Sequence, residues 1–265
     1  MQPNQELYNQ EGILKIQLGA SVMELKLKLA EEICAWLAYW GYPYCRPSSL
    51  ATDLMQIARS DRALLGKLYK VCRRFPSIKQ LAAAPDFVRI AGQLMASPLV
   101  SCCNFVCLRF DIPGEDKYLL GIHQDFPYIQ GSENGLTFWL ALGDVELEMG
   151  PPAYVKGSHL NGTLHVTEKK LSDTYGKNGG STIQIANLDL MKDCKFENEA
   201  VSDHECLVFS TLLLHRSEQN VSNKVRISLQ LRFDDLCNIK SFERNYPEGL
   251  YLGNQFSDSY PEYIR

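Results

Sequence analysis

Long apolar runs are missing from this sequence. Its most hydrophobic stretch, LAEEICAWLAYWGY, is broken by Glu31 and Glu32. It falls short of the roughly 20 apolar residues that a membrane helix needs. The N-terminal MQPNQELYNQEG is polar and does not read as a secretory leader. No sign of charge dominates either, since the formal net charge is −4 over 265 residues, so the composition calls for neither a nucleic-acid surface nor a membrane surface. Lys67, Lys70, Arg73 and Arg74 in KLYKVCRRF read as a solvated helix face. The nine cysteines lack any CxxC spacing, and the cluster Cys102, Cys103, Cys107 matches neither a zinc site nor a secreted disulfide framework. Reduced thiols in a cytoplasmic protein are the expectation. Histidine is scarce, at five residues, so each one can be weighed singly.

What is present divides near residue 98. Before it, Met23, Leu27, Ala30, Cys34 and Leu37 recur three and four apart, the period of an amphipathic helix. SSLATDLMQIARSDRALLGKLYKVCRRF predicts one or two further helices, capped by Ser49 or Thr52 and stopped at Pro76, and APDFVRIAGQLMAS another with Pro85 in its first turn. ILKIQL (13–18) predicts an isolated strand. From 98 onward the chain is strand-like: LVSCCNFVCLRFD, LTFWLALGD, PAYVKGSH, ECLVFSTLLLH and KVRISLQLRF, separated by turn chemistry. Several short strands with no helix between them predict an antiparallel sandwich or barrel. There is no internal repeat and no low-complexity linker, so one domain over 1–265 is the expectation: a largely helical part (1–97), a β core (98–234) and a tail (235–265) of no assigned role. Along 225–233, Val225, Ile227, Leu229, Leu231 and Phe233 share one face and Arg226, Ser228, Gln230 and Arg232 the other. The apolar face needs a covering layer. The polar face is expected to look into solvent rather than a wet cavity.

The chemistry starts at GIHQDFP (121–127). His123 and Asp125 are two apart, so on a strand an imidazole and a carboxylate would converge. Alone, the pair is equally a metal-free hydrogen-bonded couple. His215 closes the apolar run LVFSTLLLH, where its ring nitrogens need partners, and a metal is one such partner. Eleven residues on comes Arg226, with Ser228 beside it. Two histidines and a carboxylate can form a facial triad that leaves metal positions open. An arginine with a nearby hydroxyl suits the far carboxylate of a dicarboxylic cosubstrate.

In order and spacing, HQD (123–125), LLLHRS (212–217) and VRIS (225–228) resemble the Fe(II)/2-oxoglutarate-dependent dioxygenases, most closely the phytanoyl-CoA dioxygenase-like family. GPPAYVKGSH (150–159) is similar to that family's Gly-Pro…Gly-Ser-His segment, with Lys156 where a proline is common. The resemblance covers about 98–234. It implies a mainly β protein with α, a double-stranded β-helix (jelly-roll, cupin-like) core with packed N-terminal helices. It further implies Fe(II) on His123, Asp125 and His215, the distal carboxylate of 2-oxoglutarate on Arg226 and Ser228, and dioxygen as the second cosubstrate. The implied reaction oxidises a C–H bond of a small molecule, most simply to an alcohol, with release of succinate and CO2. A carboxylate at 125 argues against halogenation, for which related enzymes carry a small residue there.

Thr137 or Trp139 is a candidate lining of the cosubstrate pocket. Phe126, Tyr128 and Gln130 are candidate substrate contacts, and Lys156 and Arg216 candidate partners of an anionic substrate. His159, His165 and His204 read as structural or surface residues. Two other readings remain: a non-catalytic β-barrel binding protein, and a cupin-type metal enzyme that would leave Arg226 without a role. No nucleic-acid or membrane partner is expected, and neither substrate identity nor oligomeric state is readable.

Overall fold

A computed structural model of the chain describes residues 3–168, 183–187, 192–249, 253 and 255–265. Parts of the strand-rich span and residues 250–252 and 254 of the tail lie outside the described residues. In chain order the elements begin with α1 (Gln5–Glu11), β1 (Ile13–Gln17), α2 (Ala20–Tyr39), α3 (Leu50–Ser60), α4 (Arg62–Val71), α5 (Pro76–Ala82) and α6 (Pro85–Met95). They continue with β2 (Val100–Cys102), β3 (Cys107–Asp111), α7 (Phe126–Ile129), β4 (Leu136–Ala141), β5 (Ala153–Tyr154), β6 (Val166–Glu168) and β7 (Ile183–Ile185). The last are β8 (Glu205–Ser210), β9 (His215–Arg216), β10 (Arg226–Asp235), α8 (Ile239–Glu243) and α9 (Phe256–Ser259). Among the described residues no helix is long and apolar enough to cross a membrane.

The main sheet runs β1-β8-β4-β10, and β10 then pairs with β3 along its first half and with β2 along its second. All its pairings are antiparallel. A smaller sheet faces it: β9 pairs with β5, His123 bridges to His215, and Tyr154 bridges to Glu197. Two facing sheets of this kind are the double-stranded β-helix core, with the helices packed on the outer face of the larger sheet.

The alternation along β10 explains that packing. Ile227, Leu229, Leu231 and Phe233 are each 1 % exposed or less and join one core cluster with Leu29, Ile33, Leu54, Leu65, Phe87 and Phe138. Phe138 packs between Phe87, tilted against it, and Phe233, edge-on, with ring centroids 4.8 and 5.3 Å away. The opposite face departs from expectation. Arg226, Ser228 and Arg232 are buried, because β10 is central and the smaller sheet covers its polar side. A period of two assigns residues to faces but does not say what covers each face.

Two helical expectations are corrected as well. In α2 the buried stripe is Val22, Lys26, Leu29, Ala30, Ile33, Cys34 and Leu37, while Met23 is half-buried and Leu27 is 52 % exposed. Lys26 takes a core position because its ammonium reaches Asp203 at 2.8 Å. The preceding helical run does stop before Pro76, at Arg74, and Pro76 then opens α5 in its first turn, as a residue with no N–H to give can. Ser49 makes no capping bond, since its hydroxyl is committed to Asp53 at 2.7 Å. Nor is the first strand isolated: β1 pairs with β8, register Ile13 to Phe209.

The tail folds back on the segment that follows Asp125. Phe256 and Tyr260 pack on Phe126 at 5.8 and 5.0 Å. The Tyr260 hydroxyl donates to the carbonyls of Gln130 and Gly131 at 3.1 and 3.0 Å. A Cβ at Gly131 would run into the Asp234 carboxylate, which would have to move aside.

Candidate metal centre

His123 and Asp125 leave the smaller sheet at its edge, and His215 starts the neighbouring strand β9. Backbone bonds in both directions between His123 and His215, at 2.9 and 3.1 Å, lock the two together. The result is three buried side chains whose ligand atoms lie within 4.8 Å of one another. His123 Nε2 is 3.7 Å and His215 Nε2 3.9 Å from Asp125 Oδ1. An ion with ligands at about 2.1 Å spans such gaps.

The imidazoles are prepared to coordinate. His123 Nδ1 lies 2.8 Å from the Gly121 carbonyl and His215 Nδ1 3.0 Å from that of Leu213. A carbonyl only accepts, so Nδ1 carries the proton and Nε2 keeps its lone pair for a metal. Burial, reinforced by the neighbouring His215, depresses His123 to about 3. Burial also lowers His215. Burial alone would raise the Asp125 carboxyl, but the Arg232 guanidinium and the two imidazoles outweigh it and hold the group well below the usual carboxylate range. Two neutral imidazoles and one carboxylate are therefore ready at neutral pH.

Asp125 is itself held on one side. Its Oδ2 accepts from Thr137 Oγ1 at 2.7 Å and from Arg232 Nε at 3.1 Å. Oδ1 faces the imidazoles and takes only a longer bond, 3.3 Å from Arg232 Nη2. Thr137, expected in the cosubstrate pocket, instead has its hydroxyl on this carboxylate. Trp139, two residues along β4, is buried and does line the small cavity beside the ligands, together with Phe209, Arg226, Ser228, Gln230 and Arg232.

At the other end of this cavity stands Arg226. It is not alone: its Nη2 is 3.0 Å from Asp111, and Asp111 also takes Arg109 Nη2 at 2.6 Å. Arg226 Nη1 additionally donates to the carbonyls of Met149 and Glu218. Two arginines on one aspartate leave a buried net charge of +1, and the Ser228 hydroxyl beside them is buried without a partner. Both observations fit an anionic oxygen ligand such as a carboxylate. With hard and borderline donors at the near end, the residues present fit Fe(II) and a dicarboxylate together.

A family model described as Phytanoyl-CoA dioxygenase (PhyH) matches residues 30–228. The chain belongs to the phytanoyl-CoA dioxygenase family. The match starts inside α2, so the family relationship takes in the N-terminal helices that motif spacing alone related only loosely. No curated protein matches the chain. Among solved structures, the chain is similar to the non-heme alpha ketoglutarate dependent carbocyclase SnoK from nogalamycin biosynthesis (17 % identity, TM-score 0.56, covering 92 % of this chain and 90 % of that one). It is also similar to the epimerase SnoN of the same biosynthesis in complex with Fe3+, alpha ketoglutarate and nogalamycin RO (17 %, 0.53, 87 % and 82 %). A third is EctD from S. alaskensis with bound Fe (14 %, 0.55, 88 % and 76 %). At these identities the likeness is one of fold. Family membership makes this an oxygenase of the non-heme iron type, with Fe(II), 2-oxoglutarate and dioxygen as its cofactor set, and the triad accords with that set.

The candidate substrate contacts of this phytanoyl-CoA dioxygenase relative scatter. Tyr128 sets its ring edge-on to His123, at 5.7 Å. Phe126 is turned into the tail, and Gln130 is fully buried at a left-handed backbone position, φ 60°. Arg216 lines the cavity but is bound to Glu218 at 2.7 Å and lies over the Phe196 ring. Lys156 pairs with Glu11 at 3.0 Å. Three site residues escaped the sequence reading: Arg109, Asp111 and Arg232. The alternation did place Arg232 on the face of Arg226, and CLRFD puts Arg109 and Asp111 on one face. Nothing in the sequence reports which charges on neighbouring strands meet.

Proposed function

We propose that the protein is an Fe(II)- and 2-oxoglutarate-dependent dioxygenase that hydroxylates, or otherwise oxidises, a C–H bond of a small molecule with release of succinate and CO2. The observation that carries this reading is one small cavity whose lining combines His123, Asp125 and His215 with Arg226. His123, Asp125 and His215 would hold the iron, which supplies the oxidising chemistry with dioxygen. The remaining work belongs to the chain. Nδ1–H bonds to backbone carbonyls hold both imidazoles in the coordinating tautomer. Arg226, with Ser228, binds the distal carboxylate of 2-oxoglutarate and so orients its keto-acid end toward the triad. Trp139 and Phe209 exclude water from the space between. Nine cysteines without any CxxC spacing suit reduced thiols in a cytoplasmic setting.

Under anaerobic conditions, Fe(II) plus 2-oxoglutarate should give a visible charge-transfer band that His215→Ala abolishes. Screening small molecules for stimulated turnover of 2-oxoglutarate to succinate then identifies the substrate class. A protein that binds neither iron nor 2-oxoglutarate sinks the reading.

A further inference from the structure

Arg232 lies beyond the family match, which ends at residue 228, yet it touches the candidate metal ligand more closely than any other cation. Its Nε and Nη2 reach Asp125 at 3.1 and 3.3 Å, and Nη2 also donates to Gln230 Oε1 at 2.6 Å. The third nitrogen, Nη1, is buried and has no partner. The residue is 7 % exposed and forms part of the wall that holds His123, His215 and Ser228.

Holding Asp125 requires only two of the three guanidinium nitrogens. A buried nitrogen with two unanswered N–H groups is costly unless the site is built around an acceptor. Covalent geometry bounds where that acceptor sits. Nη1 and Nη2 share one carbon and are about 2.3 Å apart, so Nη1 lies no more than about 5.6 Å from Asp125 Oδ1. An acceptor bonded to Nη1 at about 2.9 Å then lies within about 8.5 Å of Asp125 Oδ1, and Arg232 lines the same cavity as the three metal ligands. Charge points the same way: Arg232 cancels the charge of the one anionic ligand, so a divalent ion there keeps its full charge for an anionic chelate.

We propose that Arg232 Nη1 binds a carboxylate oxygen at the metal-chelating end of the 2-oxo acid. The cosubstrate is then met by an arginine at each end, Arg226 on the distal carboxylate and Arg232 on the proximal one. Both arginines stand on the same face of β10, with the unpartnered Ser228 hydroxyl between them. The assignment rests on the 2-oxoglutarate reading of the site and adds a residue and a role to it.

The test uses anaerobic protein loaded with saturating Fe(II), and titrates 2-oxoglutarate and, separately, pyruvate, which has the 2-oxo acid end alone. Calorimetry reads affinity, and the position of the charge-transfer band reads the environment of the chelate. Arg232→Lys should weaken both acids about ten-fold or more and shift the band. Arg226→Ala should weaken 2-oxoglutarate and leave pyruvate unchanged. Arg232→Gln, which keeps a donor for Asp125, gives the same readout if the lysine variant does not fold. Unchanged pyruvate affinity and band position in either Arg232 variant overturn the assignment and leave the residue as a brace for Asp125. Failure of the metal-loaded wild type to bind either acid overturns the dioxygenase reading itself, and that result is visible before any variant is made.

Discussion

The Arg109–Asp111–Arg226 cluster allows a sharp perturbation, Asp111→Asn. The substitution keeps shape and removes one charge, taking the buried cluster from +1 to +2. Side-chain exposure is 7 % for Asp111, 4 % for Arg226 and 15 % for Arg109, so water does little to compensate. Breaking a buried ion pair from one side costs about 3–5 kcal/mol. For a chain of this size that corresponds to a fall in Tm of roughly 10 °C. The sign of the pH dependence follows from the carboxyl's environment. Burial would raise Asp111, but Arg109 and Arg226 outweigh it and lower it. Its contribution is therefore present above the unfolded value of about 3.9 and is lost as pH falls through the lower folded value. Urea denaturation of metal-free protein at pH 7 should show the deficit, and wild type and variant should converge as the pH is taken well below about 4. Saturating 2-oxoglutarate should stabilise the variant more than the wild type, since its carboxylate replaces the missing one. A deficit below about 1 kcal/mol at pH 7 would falsify the claim that Asp111 is the counter-charge of two buried arginines.

Neighbouring residues on β4 should behave in opposite ways. Thr137→Val removes the 2.7 Å bond to Asp125 and should weaken Fe(II) affinity about ten-fold with little change in the urea midpoint, as read by anaerobic metal titration. Phe138→Ala, on the other face, should cost about 3–5 kcal/mol in urea melts and leave metal affinity of the folded protein nearly unchanged. Asp234 is raised to about 7 by burial, so its native state favours the protonated form and loses stability as pH climbs from about 3.9 through 7. Asp234→Asn should accordingly match wild type at pH 4 and exceed it by about 2–4 kcal/mol at pH 8. A constant difference across that range would show that Asp234 is not protonated in the folded protein.

The sequence was most legible where a local period decides the outcome. Alternation along 225–233 located β10 and both its faces, and the order HxD, distal His, Arg located the triad and its companion. Alternation could not locate neighbours. Whether Arg232 met water or Asp125 depended on the smaller sheet closing over β10, which is a property of topology. The hydrogen bond of Thr137 to Asp125 was illegible for the same reason: strand register, not spacing in the chain, sets Thr137 opposite Arg232 and beside Asp125. In α2 the apolar period found Ala30, Cys34 and Leu37 on the buried stripe, but its first two positions, Met23 and Leu27, lie one residue off the buried Val22 and Lys26. Lys26 could occupy the inner stripe only because Asp203, far along the chain, supplies its counter-charge.

The pairing of β1 with β8 has a consequence for how the chain is made. Gln17 bonds Glu205, 188 residues later, and His123 must wait 92 residues for His215. During synthesis the first strand leaves the ribosome long before its partner exists, and the ligand set is incomplete until most of the chain has emerged. High contact order of this kind slows folding and keeps strand edges exposed meanwhile. Iron should therefore enter late, after translation has passed β9.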